Sequence, residues 1–272
     1  VPHWNRLPQL MRAIDSVLQQ TFSEWELIIV DDGSDEPTRL LERIREYHDE
    51  RLHVILLGRN HNAAFARNVG IDAARGGWIA FLDSDDYFLP NKLARMRREI
   101  ELVGDCDSLI YYSAFYSRNE ASIVRKPTRG LRDAEAVADY LFVEKQAIGT
   151  PGLVMSVALL KRVRFDPECI KHQDYDLLLK AEAAGARFHF VDECLWERDY
   201  RSAGANVGAM WVPVFSCRWL LERKRLISRR AEKAFLVSHV LDAMVLRPRL
   251  QILAAIGSII KARCWPLRYV HL

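Results

Sequence analysis

The 272 residues suffice for one large α/β domain with a smaller appendage. Half of them are hydrophobic and 28% are charged, which excludes a disordered chain and a polytopic membrane protein. A formal charge of +3 is too small to make nucleic acid the main partner.

The first helix-spaced segment is 7–20, with Leu10, Ile14, Val17 and Leu18 on one face. Residues 26–30 (E-L-I-I-V) read as a buried strand that ends in Asp31-Asp32-Gly33-Ser34. A helix over 37–48, a strand over 53–57 and a helix over 63–74 follow. Residues 78–82 (W-I-A-F-L) read as a strand delivering Asp83-Ser84-Asp85-Asp86 at its end. The pattern then predicts a helix over 91–103, a strand over 109–116, a helix over 133–142, a helix over 174–184 capped by Gly185, and a strand over 187–191. Beyond about Ala205 strand signals stop, and the remainder is helical, basic and punctuated by Pro248 and Pro266. Such alternation predicts βαβ units and a largely parallel sheet.

Cys106, Cys169, Cys194, Cys217 and Cys264 are scattered and odd in number, suggesting neither a zinc site nor a disulfide framework. They fit a reducing, cytoplasmic setting, and the start shows no secretory-leader pattern. The longest apolar run, near 252–260, is well short of the ~20 residues that span a bilayer.

In open α/β sheets, ligands bind beyond the carboxyl ends of the strands. Asp31-Asp32 and Asp83-x-Asp85 therefore face one crevice. Crowded carboxylates repel unless a positive charge sits among them, and a hard divalent cation with phosphate ligands answers that need. D-x-D alone is a weak signal, since acidic surface turns are common. Its place at a strand end, paired with D-D-G-S at another, strengthens it.

The segments V-P-x-x-N-R, S-V-L-Q-Q-T-F-x-E-W-E-L-I-I-V-D-D-G-S and A-R-N-V-G-I-x-x-A-R-G-G-W-I-A-F-L-D-S-D-D-Y-F-L-P-N-K-L closely resemble the family 2 glycosyltransferases. The likeness continues through R-F-D-P to H-Q-D-Y-D-L-L-L-K-A, over roughly the first three quarters of the chain. It implies a GT-A type, Rossmann-like α/β/α sandwich with a mostly parallel central sheet, plus a C-terminal helical tail. The expected division is a catalytic domain over 1–205, with a nucleotide-sugar-binding half 1–110 and an acceptor half 111–205, followed by a basic extension over 206–272.

By the same resemblance, Pro2 and Asn5 match the loop that cradles the nucleotide base, and Asp32 matches the aspartate that bonds the base. Arg67 matches a position near the donor, Asp83 the residue facing ribose, and Asp85 the ligand of Mn²⁺ or Mg²⁺. Asp174 matches the general base that deprotonates the acceptor hydroxyl for inverting attack. Each has a plainer rival: Arg67 pairing with a carboxylate on a helix face, Asp174 capping its helix. His61 and His172 read as loop histidines rather than metal ligands, and Asp86 as a residue that shapes the turn.

Three departures stand out. Gln173-Asp174 replaces the family's Glu-Asp, and Asn60-His61-Asn62-Ala63 replaces a loop that often carries glycine. Only Val1 remains of the hydrophobic strand that family members run into the P-x-x-N loop, so a truncated first strand is expected. Processive synthases of the family carry Q-x-x-R-W, but here Phe215 precedes Arg218-Trp219 in place of glutamine, which predicts transfer of a single sugar.

The implied partners are a nucleotide-sugar donor, a UDP-sugar by family default, and a glycan or lipid-linked glycan acceptor of bacterial surface-polysaccharide assembly. Leu250, Ile252, Leu253, Ile256, Ile259 and Ile260 form an apolar stripe flanked by Arg247, Arg249, Lys261, Arg263 and Arg268. That stripe suits either a helix in the membrane interface, making the protein peripheral on the inner face, or a helix packed on the domain. A nucleotidyltransferase would carry a glycine-rich, lysine-bearing loop, which is missing. A non-catalytic nucleotide-sugar binder, or an inactive truncated remnant, is the rival of another class.

Overall fold

The computed structural model describes residues 1–104, 107–119, 121–199 and 213–241. The apolar stripe near 250–260, Cys106 and Cys264 lie outside the described residues. Strands β1 (Pro2–His3), β2 (Leu27–Asp31) and β3 (Leu52–Leu56) form a parallel sheet in that order. Parallel neighbours need crossover connections, which α1 (Leu7–Leu18) and α2 (Pro37–Arg45) supply. Each carries a proline in its first turn, where a missing N–H leaves no helical bond unmade. Asn62 caps α3 (Ala63–Ala73), its side-chain oxygen accepting from the Ala64 and Phe65 amides.

The larger sheet holds β4 (Trp78–Ala80), β5 (Asp86–Phe88), β6 (Leu109–Arg118), β7 (Ile123–Lys126), β8 (Leu153–Ser156) and β9 (Arg187–Asp199). Its order is β4-β8-β6-β9-β5, with β7 on β6. The α/β class stands, but the pairing here departs from a mostly parallel sheet. Only β6–β9 is parallel among the described strands of this sheet, and β4–β8, β6–β8, β6–β7 and β5–β9 are antiparallel.

Both faces of this sheet are covered, which is why β6 is apolar at successive positions. Leu109 and Tyr111 pack with Met96 and Ile100 of α4 (Lys92–Val103). Ile110 and Tyr112 point the other way, into a core with α5 (Val157–Val163) and α6 (Gln173–Ala183). Trp219 of α7 (Pro213–Glu222) and Phe235 of α8 (Arg229–Leu236) are buried in that same core, so this helical segment packs onto the domain. No helix among the described residues is long and apolar enough to cross a membrane.

Three elements depart from the sequence pattern for physical reasons. The strand expected to end at Val191 continues to Asp199 past a bulge, where its register against β6 jumps from Val191 to Cys194. The inserted Asp192-Glu193 breaks the alternation that marks a strand. The helix expected over 133–142 forms only in its second half, ending in a π-helical turn at Asp139–Val143, because Ala134 is left-handed with φ 59°. β8 and α5 escaped notice because four buried residues pass directly into a seven-residue helix, with Ser156 as its cap through a bond from the Leu159 amide.

Candidate active site

The carboxyl end of β2 leads into a pinned turn. The Ser34 hydroxyl and amide both donate to the Asp31 carboxylate. Asp32, almost fully buried, accepts from the His61 amide through one oxygen and the Asn62 amide through the other, each at 2.8 Å. The aspartate expected to contact the base thus also fastens the 59–62 loop. Gly33 is required here, since its φ is 77° and an added Cβ would lie 2.4 Å from the Arg59 carbonyl carbon. The first loop is joined to the same turn. Asn5 donates from its amide nitrogen side chain to Asp35, the Asp35 amide returns a bond to Asn5, and the Asn5 backbone donates to Ser34. Pro2 lies in β1, in register with Val30.

Beyond β4, the turn Asp83-Ser84-Asp85 is closed by a bond from the Asp86 amide to the Asp83 carbonyl, and Asp86 opens β5. Each carboxylate of D-x-D meets its own arginine. Arg67 of α3 donates to Asp83 at 2.6 Å, and Arg6 donates to Asp85 at 2.6 Å. Arg67 also donates to Gln173 at 2.7 Å, and its guanidinium lies 5.2 Å from the Phe165 ring centre. It does pair with a carboxylate, but with the one in the crevice rather than one on its own helix. Gln173 in turn donates to the Cys169 carbonyl.

Asp174 follows in the first turn of α6, where His172 holds the cap position, so the capping rival for Asp174 does not hold. Its Oδ1 accepts from the Tyr175 amide at 2.9 Å. Burial lifts its carboxyl above the ordinary range, offset in part by that amide and by the charges of Arg198 and Arg67. Burial and the neighbouring Asp83 likewise raise Asp85, while Arg6 and Arg198 oppose the shift. Two acids with raised affinity for protons beside one arginine-lined turn can hold a cation and take a proton.

Arg6, Gln173 and Arg198 were not assigned roles from the sequence. Arg6 stood inside the P-x-x-N-R motif, a usable signal. Arg198 lies beyond the β9 bulge, in register with Asp86, and nothing local marks it. His61 stacks on Phe65, while His172 is buried with Nε2 at 2.8 Å from the Ser216 hydroxyl and stacks against Tyr175. Both lie just ahead of a helix, outside strands and helices. Burial first, then His239 and Lys171, holds His172 well below its ordinary value, so it is neutral.

A divalent ion fits this donor set, since Asp83 and Asp85 offer hard oxygen ligands and their side chains are 25% and 23% exposed. Two carboxylates do not complete a shell, so diphosphate oxygens and water would supply the rest. Among the described residues, the group of three or more acidic, Cys or His side chains close enough to share an ion is Asp166, Cys169 and Asp176. Arg223 already donates to both of those aspartates, which makes that group an ion-pair network.

A family model described as glycosyl transferase family 2 matches residues 1–160. The amylovoran biosynthesis glycosyltransferase AmsB of Erwinia amylovora is 30% identical over 200 residues, covering 72% of this chain and 66% of that protein. The Escherichia coli protein named UDP-Glc:alpha-D-GlcNAc-diphosphoundecaprenol beta-1,3-glucosyltransferase WfgD is 35% identical over 126 residues, 46% of this chain and 48% of that protein. The chain thus spans less than two thirds of the length of these relatives. The crystal structure of S. aureus TarS 1-349 in complex with UDP-GlcNAc superposes with a TM-score of 0.74 at 19% identity, covering 96% of this chain and 78% of that one. At that identity the likeness is one of fold.

Proposed function

The chain belongs to glycosyl transferase family 2, and from that membership we propose that it transfers a single sugar, with inversion, from a nucleoside diphosphate sugar to an acceptor hydroxyl. The observation that carries this reading is the bridge made by Arg67. It ties the D-x-D aspartate Asp83 to Gln173, the residue adjoining Asp174, and so sets a raised-pKa carboxylate near the turn that would hold the cation.

In this reading the nucleoside lies over Pro2, Asn5 and the Asp32 turn, and the ribose faces Asp83. Asp85 would hold Mn²⁺ or Mg²⁺, which when bound would supply charge stabilisation for the diphosphate. Asp174 takes the acceptor proton on Oδ2, since Oδ1 is engaged by the Tyr175 amide. The freed oxygen bonds to the anomeric carbon from the face opposite the leaving group. The anomeric C–O bond breaks as that bond forms, and its electron pair leaves on the diphosphate. Single transfer is supported by Phe215 in place of the processive glutamine, since Phe215 stacks on His172 and offers no polar group to a growing chain. The name of WfgD, which gives UDP-Glc as donor and a diphosphoundecaprenol-linked sugar as acceptor, supports a UDP-sugar donor and a lipid-linked acceptor, and the name of AmsB supports a place in bacterial polysaccharide biosynthesis.

Calorimetric titration of the full chain with UDP, GDP and dTDP, each with and without Mn²⁺, tests the donor site. Metal-dependent binding of one nucleotide is expected. ¹H NMR of the sugar released by slow donor hydrolysis then reads inversion. Nucleotide binding without transfer or hydrolysis would leave a binding protein, and no binding by a folded chain would end the reading.

A further inference from the structure

Gln173 is the first residue of α6 and is buried, and both ends of its side-chain amide are used. Its Oε1 accepts from Nη1 of Arg67 and its Nε2 donates to the Cys169 carbonyl, each at 2.7 Å. These neighbours leave the amide one orientation. A guanidinium only donates and a carbonyl only accepts, so the oxygen has to face Arg67 and the nitrogen Cys169. The 165–169 segment that carries this carbonyl is itself pinned to α3 and its cap. Asn68 accepts from the Phe165 amide at 3.1 Å and donates to the Phe165 carbonyl at 2.8 Å, and the Asn62 side chain donates to the Pro167 carbonyl at 2.7 Å. A glutamate at this position could keep only the bond to Arg67. Its second oxygen would meet the Cys169 carbonyl acceptor to acceptor, a repulsion relieved by taking up a proton. Once ionised, it would add a further carboxylate to a crevice already lined by Asp83, Asp85 and Asp174, where a diphosphate must bring negative charge of its own. Gln173 stands where the family resemblance places glutamate, and here the amide fits its neighbours in both shape and charge.

We propose that Gln173 is a positioning residue that clamps Arg67 against Asp83, and that it does so without charge, so that no further carboxylate faces the nucleoside diphosphate. The proposal rests on the donor-site reading above and adds what holds that site's buried arginine and why the holder is an amide. Losing the clamp and charging it have different signatures. An apolar side chain of the same length frees Arg67 at every pH. A carboxyl side chain copies the amide while it is protonated, with its O–H donated to the Cys169 carbonyl. It fails as it ionises, because it then loses that bond and repels the ligand.

Calorimetric titration of the full chain at about pH 5 and about pH 8 tests this, with Mg²⁺ and whichever of UDP, GDP and dTDP the wild type binds. Each variant is compared with the wild type at the same pH, which cancels the titration of the nucleotide itself. Gln173→Met should bind about tenfold more weakly at both pH values. Gln173→Glu should bind within about twofold of the wild type at the lower pH and about tenfold more weakly at the higher. A residue that only filled space would give its acid variant no such pH dependence. Thermal melting under both conditions reports folding, and if the methionine variant does not fold, the glutamate variant decides alone. Either folded variant binding as tightly as the wild type at the higher pH would overturn the proposal. A glutamate variant equally weak at both pH values would assign the loss to shape and overturn it too. A wild type that binds no nucleotide would instead remove the donor-site reading beneath it.

Discussion

Arg67 reaches from α3 to Asp83 at 2.6 Å and to Gln173 at 2.7 Å, so one guanidinium spans the turn after β4 and the first residue of α6. Its Nε makes no hydrogen bond among the described residues, and the side chain is 8% exposed. Removing it strands a carboxylate that keeps only partial access to water. Arg67→Met should therefore destabilise the fold by about 2 kcal/mol, below the cost for a wholly buried pair. It should also lower nucleotide affinity, which calorimetry reads, while urea unfolding reads the stability.

Asp174 predicts a pH effect of definite sign. In the proposed mechanism transfer needs its carboxylate, and burial raises its pKa. Activity should fall as pH drops through that raised value, at a higher pH than an ordinary aspartate would give. Asp174→Asn should keep nucleotide binding near normal and cut transfer about a thousandfold or more. Stability runs the other way. The folded chain holds this proton more tightly than the unfolded one, so stability falls as pH rises from the unfolded value through the folded one. The asparagine variant should escape that loss and melt no lower than the wild type near neutral pH.

Lys92, the first residue of α4, is fully buried, and its Nζ has no hydrogen-bond partner among the described residues. The Phe88 ring lies 4.8 Å away, and burial lowers the pKa to about 7. The unfolded chain binds this proton more tightly, so stability should fall as pH drops from about 10.5 to about 7 and level off below. Lys92→Met should flatten that dependence and stabilise the protein by roughly 2 kcal/mol at neutral pH. A pH series of melting curves for the two proteins checks both points.

Gly33 predicts a loss at the donor turn. Gly33→Ala carries about 1–2 kcal/mol for the left-handed backbone alone. It adds a clash with the Arg59 backbone, which cannot rotate away as a side chain can. Nucleotide binding should drop sharply in calorimetry, because displacing that loop also breaks the bonds from His61 and Asn62 to Asp32.

The helical segment after β9 should act on the helix that carries Asp174, the proposed base. Ser216 of α7 meets His172, and Trp219 packs 5.1 Å from the same ring. His172 accepts through its carbonyl from the Asp176 amide, two residues past Asp174. Ser216→Val should therefore reduce kcat with little change in the KM for donor. Because His172 is neutral, the pH profile should keep its shape.

Some of this was legible along the chain and some was not, for identifiable reasons. The D-D-G-S and D-x-D turns could be read because a strand's apolar run and the polar turn after it are adjacent in sequence. Asp174 could be placed on a helix start for the same reason. The arginines opposite the acids could not, since Arg6 and Asp85 are 79 positions apart and Arg67 and Gln173 are 106 apart. The far half of β9 was hidden by its bulge, and with it Arg198.

The order of the chain by itself determined the α/β class, the helices that connect the first strands, and the delivery of four carboxylates to strand and helix ends. Those properties depend on periodicity and turn chemistry, which act between near neighbours. Tertiary structure decided the antiparallel pairing of β8, the arginine that each carboxylate faces, and the burial that raises Asp174. Pairing direction depends on which elements find room beside one another. Charge interaction and desolvation depend on distance through space, and packing alone sets that distance.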